Sequence, residues 1–379
     1  MFPKILPHES LRHPVAASNL VATSQPLAVQ AGLQALRLGG NAVDAALSAA
    51  ITLTVVEPTG NGVGSDAFAL VWDGSRLHGI NGSGRSPKAW TPSYFSDYDS
   101  MPQFGWDSVT VPGAVDLWRC LSAQFGKLEF EQLFESAIHY AEKGFLVGFR
   151  TAFDWNNGPA EWYQDFPEFR KTFLPAPQVG ERYFRADLAK TLRTLSRDPR
   201  SMYEGTIGEK IIQSSKLEKS AFNHEDLASH KTEWVAPISM PYRDVVVHEI
   251  PPNGQGLAVL VALGILNELE VTPGDSLESV HTQIEAMKIA LHTAARWISD
   301  PSHMKITVKA LLDPAGLRNL AGSICATSSC IPPLSMPSGH DTVYLSAADD
   351  NGMMVSFIQS NYFGFGSGIV IPDTGITMQ

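Results

Sequence analysis

Two sets of residues have types that could support nucleotide or metal chemistry. The turn Gly60-Asn61-Gly62-Val63-Gly64 has the composition of a phosphate-binding loop, and Cys325 and Cys330 lie five residues apart. A dinucleotide loop follows a strand and opens a helix, whereas here a helical pattern precedes the turn and a strand pattern follows it. The two cysteines lack the nearby histidine pair of a zinc site. We therefore expect no cofactor and no metal, and interpret the turn as a packing turn.

The composition and net charge indicate which classes of protein and which partners are excluded. The 379 residues are 44% hydrophobic and 18% charged, which is typical of a soluble globular protein. The formal net charge of −11 argues against a nucleic-acid partner, because binding the phosphate backbone requires a basic surface. No apolar run has the length of a signal peptide or a membrane span. We therefore expect no membrane partner and a cytoplasmic location.

The first elements are marked by strong local signals. A strand is predicted over 15–21, and Ser24 with Pro26 predicts a capped helix that ends at Gly39-Gly40. Asn41 is placed to cap a second helix over 42–56, which is apolar on almost every side and must therefore be a core helix. Further on, Asp73-Gly74 predicts a hairpin between strands 68–72 and 77–80.

The rest of the chain is mostly helical until a second hairpin near its end. The predicted elements are helices at 114–124, 130–143, 186–196, 208–214, 257–269 and 277–298, a strand at 245–248, an irregular segment at 156–183 and a polar loop at 323–339. The second hairpin joins strands 342–348 and 353–360 through a turn over Asp349 to Gly352. Because strands and helices do not alternate regularly, the predicted fold class is α+β, with helices packed on antiparallel sheets.

Short motifs occur in a consistent order and spacing along nearly the whole chain. They are Leu38-Gly39-Gly40-Asn41-Ala42-Val43-Asp44-Ala45-Ala46, Val56-Glu57-Pro58, Val111-Pro112-Gly113, Tyr203-Glu204-Gly205 and Pro251-Pro252-Asn253-Gly254-Gln255-Gly256. Together they resemble the γ-glutamyltranspeptidase (glutathione hydrolase) family of N-terminal-nucleophile hydrolases. The resemblance implies an αββα sandwich with a large helical insert, made as one precursor that is cut into a large and a small subunit.

The resemblance also supplies the expected nucleophile. In the family a threonine opens the small subunit, followed by a strand, an Asp and Gly turn, a second strand and a Phe-Gly-Ser/Thr-Gly segment. Thr342, Asp349, Gly352 and Phe365-Gly366-Ser367-Gly368 lie at matching offsets. We therefore expect cleavage between Asp341 and Thr342, which divides the chain into a large-subunit-like region, 1–341, and a small-subunit-like region, 342–379. Outside this pattern Thr342 would be an ordinary β-branched strand residue.

Cleavage before Thr342 would solve a chemical problem. A threonine hydroxyl is a poor nucleophile and needs a base. A free α-amine has a pKa of about 7.7–8.0, so part of it is neutral at pH 7 and can take the hydroxyl proton. Before cleavage the same hydroxyl could attack the carbonyl of Asp341 and form an ester that water hydrolyses. Self-cleavage and catalysis would then use one oxygen atom.

Further site residues are carried over from the family. Ser360 occupies the position of a hydroxyl residue that supports the nucleophile, although it could be an ordinary strand serine. Tyr362 replaces an asparagine that binds the γ-glutamyl group, and a phenol cannot reproduce the paired donor and acceptor of an amide. Arg85 matches an arginine that grips the substrate carboxylate, in an altered sequence context that leaves a solvated surface arginine as the alternative. His340 is either a loop residue or an aid to self-cleavage.

Some family motifs are not found in this sequence. Cleavage after residue 341 leaves 38 of the 379 residues, and the family's later acidic residues, Ser-Ser pair and oxyanion-binding Gly-Gly pair have no counterpart among them. Losing one oxyanion donor lowers kcat by a factor of about 10²–10³. We therefore expect the C-terminal part to be truncated and this polypeptide to be incomplete or inactive.

Three functions remain open on this basis. The first is hydrolysis or transfer of γ-glutamyl groups, as from glutathione, to water or to an amino-acid or peptide acceptor through a γ-glutamyl ester of Thr342. The second is a cephalosporin- or glutaryl-type acylase of the same fold, which the replacement at Tyr362 and the altered context of Arg85 keep open. The third is a catalytically inactive homologue. In the first two the partner is a small-molecule amide.

Overall fold

The computed structural model describes residues 15–157, 162–271, 274, 276–329 and 342–379. Its strands are β1 Leu20–Ala22, β2 Asp66–Trp72, β3 Leu77–Gly82, β4 Phe145–Leu146, β5 Arg182–Tyr183, β6 Glu233–Val235, β7 Ile238–Tyr242, β8 Val245–Glu249, β9 Val343–Ala348, β10 Met354–Ser360, β11 Val370–Ile371 and β12 Ile376–Thr377.

Every helix that the sequence predicts is present, and further short helices lie between them. They are α1 Pro26–Arg37, α2 Ala42–Val56, α3 Ala114–Phe125, α4 Glu135–Lys143, α5 Phe149–Asn156, α6 Pro167–Phe173, α7 Ala186–Arg197, α8 Ser201–Glu204, α9 Thr206–Leu217, α10 His224–Ala228, α11 Gly256–Asn267, α12 Leu277–Trp297, α13 Val308–Leu311 and α14 Pro314–Ala321, with 3₁₀ turns at Trp106–Ser108 and Phe130–Phe134. No helix in the described part of the chain is both long and apolar enough to cross a membrane.

The described residues form two compact units, one comprising 18–234 and 342–379 and the other 15–17 and 235–329. The first unit contains a six-stranded sheet of order β1-β9-β10-β2-β3-β6. Antiparallel pairings join β1 to β9, β9 to β10, β10 to β2 and β2 to β3. Strands from the two ends of the sequence are therefore neighbours at the centre of one sheet.

The two faces of this sheet have opposite character. Helix α2, every residue of which is buried, packs on one face against β9 and β10. The side chains that meet it alternate along the strands and are fully buried, as at Val71, Leu345 and Phe357. The intervening side chains lie on the other face, where Tyr344 is 56% exposed and Met354 is 52% exposed. The period of two is the normal consequence of strand pleating.

The N-terminus of α2 is fixed by side chains distant in sequence. Asn41 and Asp44 form a capping box, in which the side chain of each residue accepts the backbone N–H of the other. Asp44 Oδ2 also accepts from the Lys127 amide at 2.9 Å. Asp349, in the β9–β10 turn, accepts from the Ala42 amide at 2.9 Å. The motif around Asn41 thus joins the core helix to the hairpin that begins at β9.

The second unit has its own small core. The β7–β8 hairpin packs beside α11, which also contacts α12 and α14. Leu260, Ile265, Ile289 and Leu317 are among the residues buried there. Among the residues described in this unit, helices predominate, and its two longest helices, α11 and α12, lie where helices were predicted over 257–269 and 277–298.

Several details differ from the sequence-based expectations. The strand predicted over 15–21 is confined to Leu20–Ala22, and the helix predicted over 130–143 begins as a 3₁₀ turn. Gln25, not Ser24, caps α1, because the Gln25 side chain accepts from the Leu27 amide while Ser24 donates to Glu57. The segment 156–183, predicted to be irregular, contains α6, whose Pro167 occupies the first turn. The strand at 245–248 pairs with β7, which was not predicted and which contains Pro241, a residue that is rare inside strands.

Candidate active site

Two hydroxyls lie side by side at the open end of the β9–β10 hairpin. Thr342 directly precedes β9, and Ser360 ends β10. Val343 pairs with Gln359 in the antiparallel ladder, so continuing the register sets Thr342 opposite Ser360. The Thr342 Oγ1 hydroxyl donates to Ser360 Oγ at 3.2 Å. Thr342 is exposed, so its hydroxyl is both oriented and accessible.

Tyr362 contributes its backbone to the same pair. Its amide N–H donates to Ser360 Oγ at 3.1 Å, and its φ of 72° turns the chain away from β10. Ser360 Oγ therefore accepts two hydrogen bonds, which occupies both of its lone pairs and leaves its own proton available to donate. The Tyr362 side chain is 64% exposed, so it borders the site without being packed into the core.

Buried polar side chains hold the end of β10 in place. Gln359 is 1% exposed, and its amide accepts from Trp118 Nε1 at 2.9 Å and donates to Asn61 Oδ1 at 3.1 Å. Asn361, equally buried, accepts from Ser65 Oγ at 2.8 Å. Asn61 lies in the glycine-rich turn and Ser65 directly follows it. This part of the chain therefore holds the two residues that flank Ser360.

A row of polar residues crosses the sheet at this edge. Ser360 pairs with Asp66 at the start of β2, and the pairing of Ala67 with Gly82 places Asp66 opposite Ser83. Thr342, Ser360, Asp66 and Ser83 thus succeed one another on neighbouring strands. Three strand spacings separate the two ends of the row, about 14 Å.

Asp66 is the unusual member of the row. Burial raises the pKa of its carboxyl from an ordinary value of 3.8 to about 7, although hydrogen bonds from the Gln379 side chain and from the backbone of Gly84 and Gly113 favour the charged form. Its Oδ1 atom accepts from the Gly84 amide at 3.1 Å and from the Gly113 amide at 3.2 Å. The carboxyl is therefore poised to change charge near neutral pH.

Arg85 lies beyond β3, two positions past Ser83. Its guanidinium pairs with Glu233 Oε1 at 3.0 Å, and both side chains are exposed. An exposed ion pair of this kind contributes only about 0–1 kcal/mol, so a ligand carboxylate could displace Glu233. The structure thus brings Thr342, Ser360 and the Tyr362 backbone together, and places Arg85 at the far side of the same row.

Some predicted features lie outside the described residues. These are Asp341, on the other side of the expected cleavage point, His340 and Cys330. Among the residues that the structure describes, no group of three His, Cys, Asp or Glu side chains is placed to hold a metal ion.

Sequence reasoning missed two parts of the site. Asn361 is a supporting residue rather than a reacting one, and only its three-dimensional contact with Ser65 reveals it. Asp66 gives no clear signal in the sequence, because it opens β2 on the face opposite to the buried Ala67, Ala69 and Val71, where an acidic residue is ordinary. Only its three-dimensional contacts distinguish it.

Comparison with known proteins identifies the family. Residues 28–379 match the family model described as Gamma-glutamyltranspeptidase. The glutathione hydrolase-like YwrD proenzyme of Bacillus subtilis is 35% identical over 96% of this chain and 71% of its own length. The oxamate amidohydrolase proenzyme of Klebsiella pneumoniae is 33% identical over the same shares.

A solved structure is similar over the whole chain. The crystal structure of a cephalosporin acylase from Bacillus halodurans superposes with a TM-score of 0.92 at 42% identity, covering 100% of this chain and 72% of that one. At this level of similarity the arrangement of the helices and strands is shared throughout.

Proposed function

Because this chain belongs to the γ-glutamyltranspeptidase family and shares the α+β fold of its N-terminal-nucleophile hydrolases, we propose that it is a proenzyme that cleaves itself before Thr342. The mature form then hydrolyses or transfers γ-glutamyl groups from small amides such as glutathione. The observation that carries this proposal is the exposed Thr342, whose hydroxyl donates a hydrogen bond to Ser360 at the open end of the β9–β10 hairpin.

Self-cleavage follows from the position of that hydroxyl. Thr342 Oγ attacks the carbonyl carbon of Asp341, the C–N bond breaks, and the hydroxyl proton passes to the departing nitrogen, which becomes the α-amine of Thr342. Water then hydrolyses the resulting ester, releasing the Asp341 carboxylate and restoring the hydroxyl. The products are the regions 1–341 and 342–379, the proposed large and small subunits. That two similar proteins are named as proenzymes supports this step.

The mature reaction uses the same oxygen. The neutral α-amine takes the Thr342 hydroxyl proton while Oγ attacks the amide carbonyl of the substrate. The amine of the substrate leaves with a proton, and an acyl ester of Thr342 remains. Water, or the amino group of an amino acid or peptide, then attacks the ester. Arg85 exchanges Glu233 for the substrate carboxylate, which its planar guanidinium can bind in bidentate fashion.

A second candidate is acylase activity toward glutaryl- or cephalosporin-type amides. Tyr362 favours it, because its phenol lacks the acceptor and donor pair that an amide would offer to the α-amino acid end of a γ-glutamyl group. The 42% identity to a cephalosporin acylase supports the same alternative. Both activities use the Thr342 nucleophile and differ only in the acyl group.

Denaturing gel electrophoresis and intact mass measurement of the purified chain test the proposal. We expect fragments of 341 and 38 residues from the 379-residue chain. Thr342→Ala should remain uncut, whereas the matched control Thr342→Ser, which keeps a hydroxyl, should still be cut. An uncut wild-type chain that hydrolyses no amide would contradict the proposal and favour the inactive homologue.

The two candidate substrates are separated by a pair of chromogenic anilides. γ-Glutamyl and glutaryl anilides differ only in the α-amino group, so their kcat/KM ratio reports on the residues around that group. Tyr362→Asn should shift the ratio toward the γ-glutamyl substrate by about tenfold, the effect of one or two hydrogen bonds. A wild-type ratio already in favour of γ-glutamyl, and unchanged by the substitution, would exclude Tyr362 from acyl-group selection.

A further inference from the structure

Asp66 has no role in the proposed chemistry, yet it is built into the site. It starts β2 on the same face and in the same register as Ser360. Directly opposed residues of an antiparallel pair have Cβ atoms about 4.5–5.5 Å apart, so Asp66 is the neighbour of Ser360 across the strand pair. Its Oδ1 atom accepts two backbone N–H groups, from Gly84 and from Gly113.

These two amides belong to segments that pack backbone against backbone. A Cβ at Gly84 would overlap the Val111 carbonyl, and a Cβ at Gly113 would overlap the Gly82 carbonyl. The Val111 amide donates to the Arg85 carbonyl at 3.0 Å. The backbones of residues 82–85 and 111–113 therefore lie side by side. The Asp66 Oδ1 atom links both segments to β2.

The tie needs an acceptor oxygen rather than a charge. Burial disfavours the charged carboxyl and raises its pKa to about 7, despite the hydrogen bonds that it accepts. An asparagine could accept the same two N–H groups without a charge. The geometry therefore requires at position 66 an oxygen that holds both amides.

We propose that Asp66 is the positioning residue of the acyl-donor pocket, which fixes the Arg85 segment relative to the Thr342–Ser360 pair and so restricts the enzyme to acyl groups that carry a distal carboxylate. This inference rests on the proposed role of Arg85. Arg85 directly follows Gly84, whose amide Asp66 holds. Arg85 and Thr342 lie at opposite ends of a row that crosses four strands, and the hydrogen bond from Gly84 to Asp66 fixes the Arg85 end of that row to β2.

The test measures binding rather than turnover, so that it does not depend on cleavage. Glutarate, a dicarboxylate with the dimensions of the acyl group, is titrated calorimetrically into full-length Thr342→Ala protein. Adding Asp66→Ala should weaken glutarate binding about tenfold or more, because a misplaced binding group loses its effect steeply with distance. Asp66→Asn, which keeps the acceptor oxygen, should bind within about threefold of the starting protein.

A double-mutant cycle separates positioning from general damage. Arg85→Ala should weaken binding to the same extent as Asp66→Ala, and the two together should be no worse than either. Additive losses, unchanged binding in Asp66→Ala, or no glutarate binding by the starting protein would each overturn the proposal. Loss of binding in Asp66→Asn equal to that in Asp66→Ala would overturn it as well.

The outcome is independent of the proposed self-cleavage. If the wild-type chain remains uncut but glutarate binding shows the expected cycle, the role of Asp66 stands and the nucleophile assignment fails. If the chain is cut at Thr342 but Asp66→Ala binds glutarate normally, only the role of Asp66 fails. Thermal unfolding of each variant, with Asp66→Asn as the folded reference, excludes a loss of binding caused by unfolding.

Discussion

The two ends of the β9–β10 hairpin are built in opposite ways. At the turn, Asp349 is 7% exposed and accepts backbone N–H groups from Ala42, Asn351 and Met353. At the open end, Thr342 is exposed and its hydroxyl donates a single hydrogen bond at 3.2 Å, to Ser360. The same pair of strands thus has one end anchored to the core helix and one end where the Thr342 side chain is exposed.

The difference shows how a hairpin can orient an exposed hydroxyl without burying it. Register is set at the anchored end, where the Asp349 side chain joins the turn to the N-terminus of α2. It is maintained by the alternation of buried residues along β9 and β10. The open end inherits that register, so Thr342 lies opposite Ser360 although its own side chain is held only weakly.

Removing the anchor should have the largest effect on stability. Asp349→Ala deprives α2 of an N-terminal acceptor at a buried position and removes the side-chain acceptor of two amides in the turn, which should lower the free energy of unfolding by about 1–3 kcal/mol. Chemical denaturation measures this change. The matched control is Asp350→Ala at the exposed neighbouring position, with an expected change within about 0.5 kcal/mol. Equal effects of the two substitutions would contradict the anchoring role of Asp349.

Removing the support at the open end should affect chemistry more than stability. Ser360→Ala takes away the acceptor of the Thr342 hydroxyl, so self-cleavage should slow by about 10- to 100-fold, as for other losses of orientation at a reacting group. Stability should change by less than about 1 kcal/mol. The rate is followed by the disappearance of the full-length band, with Ser356→Ala as a control on the same strand. A normal cleavage rate would remove Ser360 from the site.

A smaller effect, on the pH dependence of stability, tests the charge of the Asp66 carboxyl. The pKa of Asp66 is raised, so between about pH 4 and pH 7 the folded protein holds a proton that the unfolded chain releases, and stability falls as pH rises through this range. Asp66→Asn removes this loss. The variant should match the wild type near pH 4 and exceed its free energy of unfolding by about 1–3 kcal/mol at pH 8.

The comparison with wild type is essential here because a second group opposes the trend. Burial lowers the pKa of His230 to about 4, so its contribution to stability rises with pH below 6.5. His230 is present in both proteins, and its contribution cancels in the difference. A stability difference that is constant from pH 4 to pH 8 would show that the Asp66 carboxyl has an ordinary pKa.

The parts of the fold that could be predicted from the sequence are those with local signals, such as helix caps, turn residues and apolar patterns. Helix α2 was predicted to its last residue, because Asn41 caps it and its apolar residues cover every side. Both hairpins of the central sheet were predicted from Asp-Gly and Asp-Asn-Gly turns. The pairing of β10 with β2 was not predicted, since it joins residues almost 300 positions apart and depends on packing against α2.

The site was predicted less completely than the fold. Thr342 and Ser360 follow from the motif offsets, and the register places them together. Asp66 was missed because its partners, Gly84 and Gly113, are backbone groups brought together by tertiary structure. The acyl donor and the cytoplasmic location remain predictions, because neither is determined by the backbone geometry.

The central claim is that Thr342 is the nucleophile, and mass spectrometry of the small fragment tests it most directly. After cleavage the fragment should begin at Thr342 and contain 38 residues. When it is rapidly acidified during turnover of a γ-glutamyl or glutaryl anilide, it should carry one acyl group on Thr342. A fragment that begins at another residue, or an acyl group found elsewhere on the protein, would contradict the account.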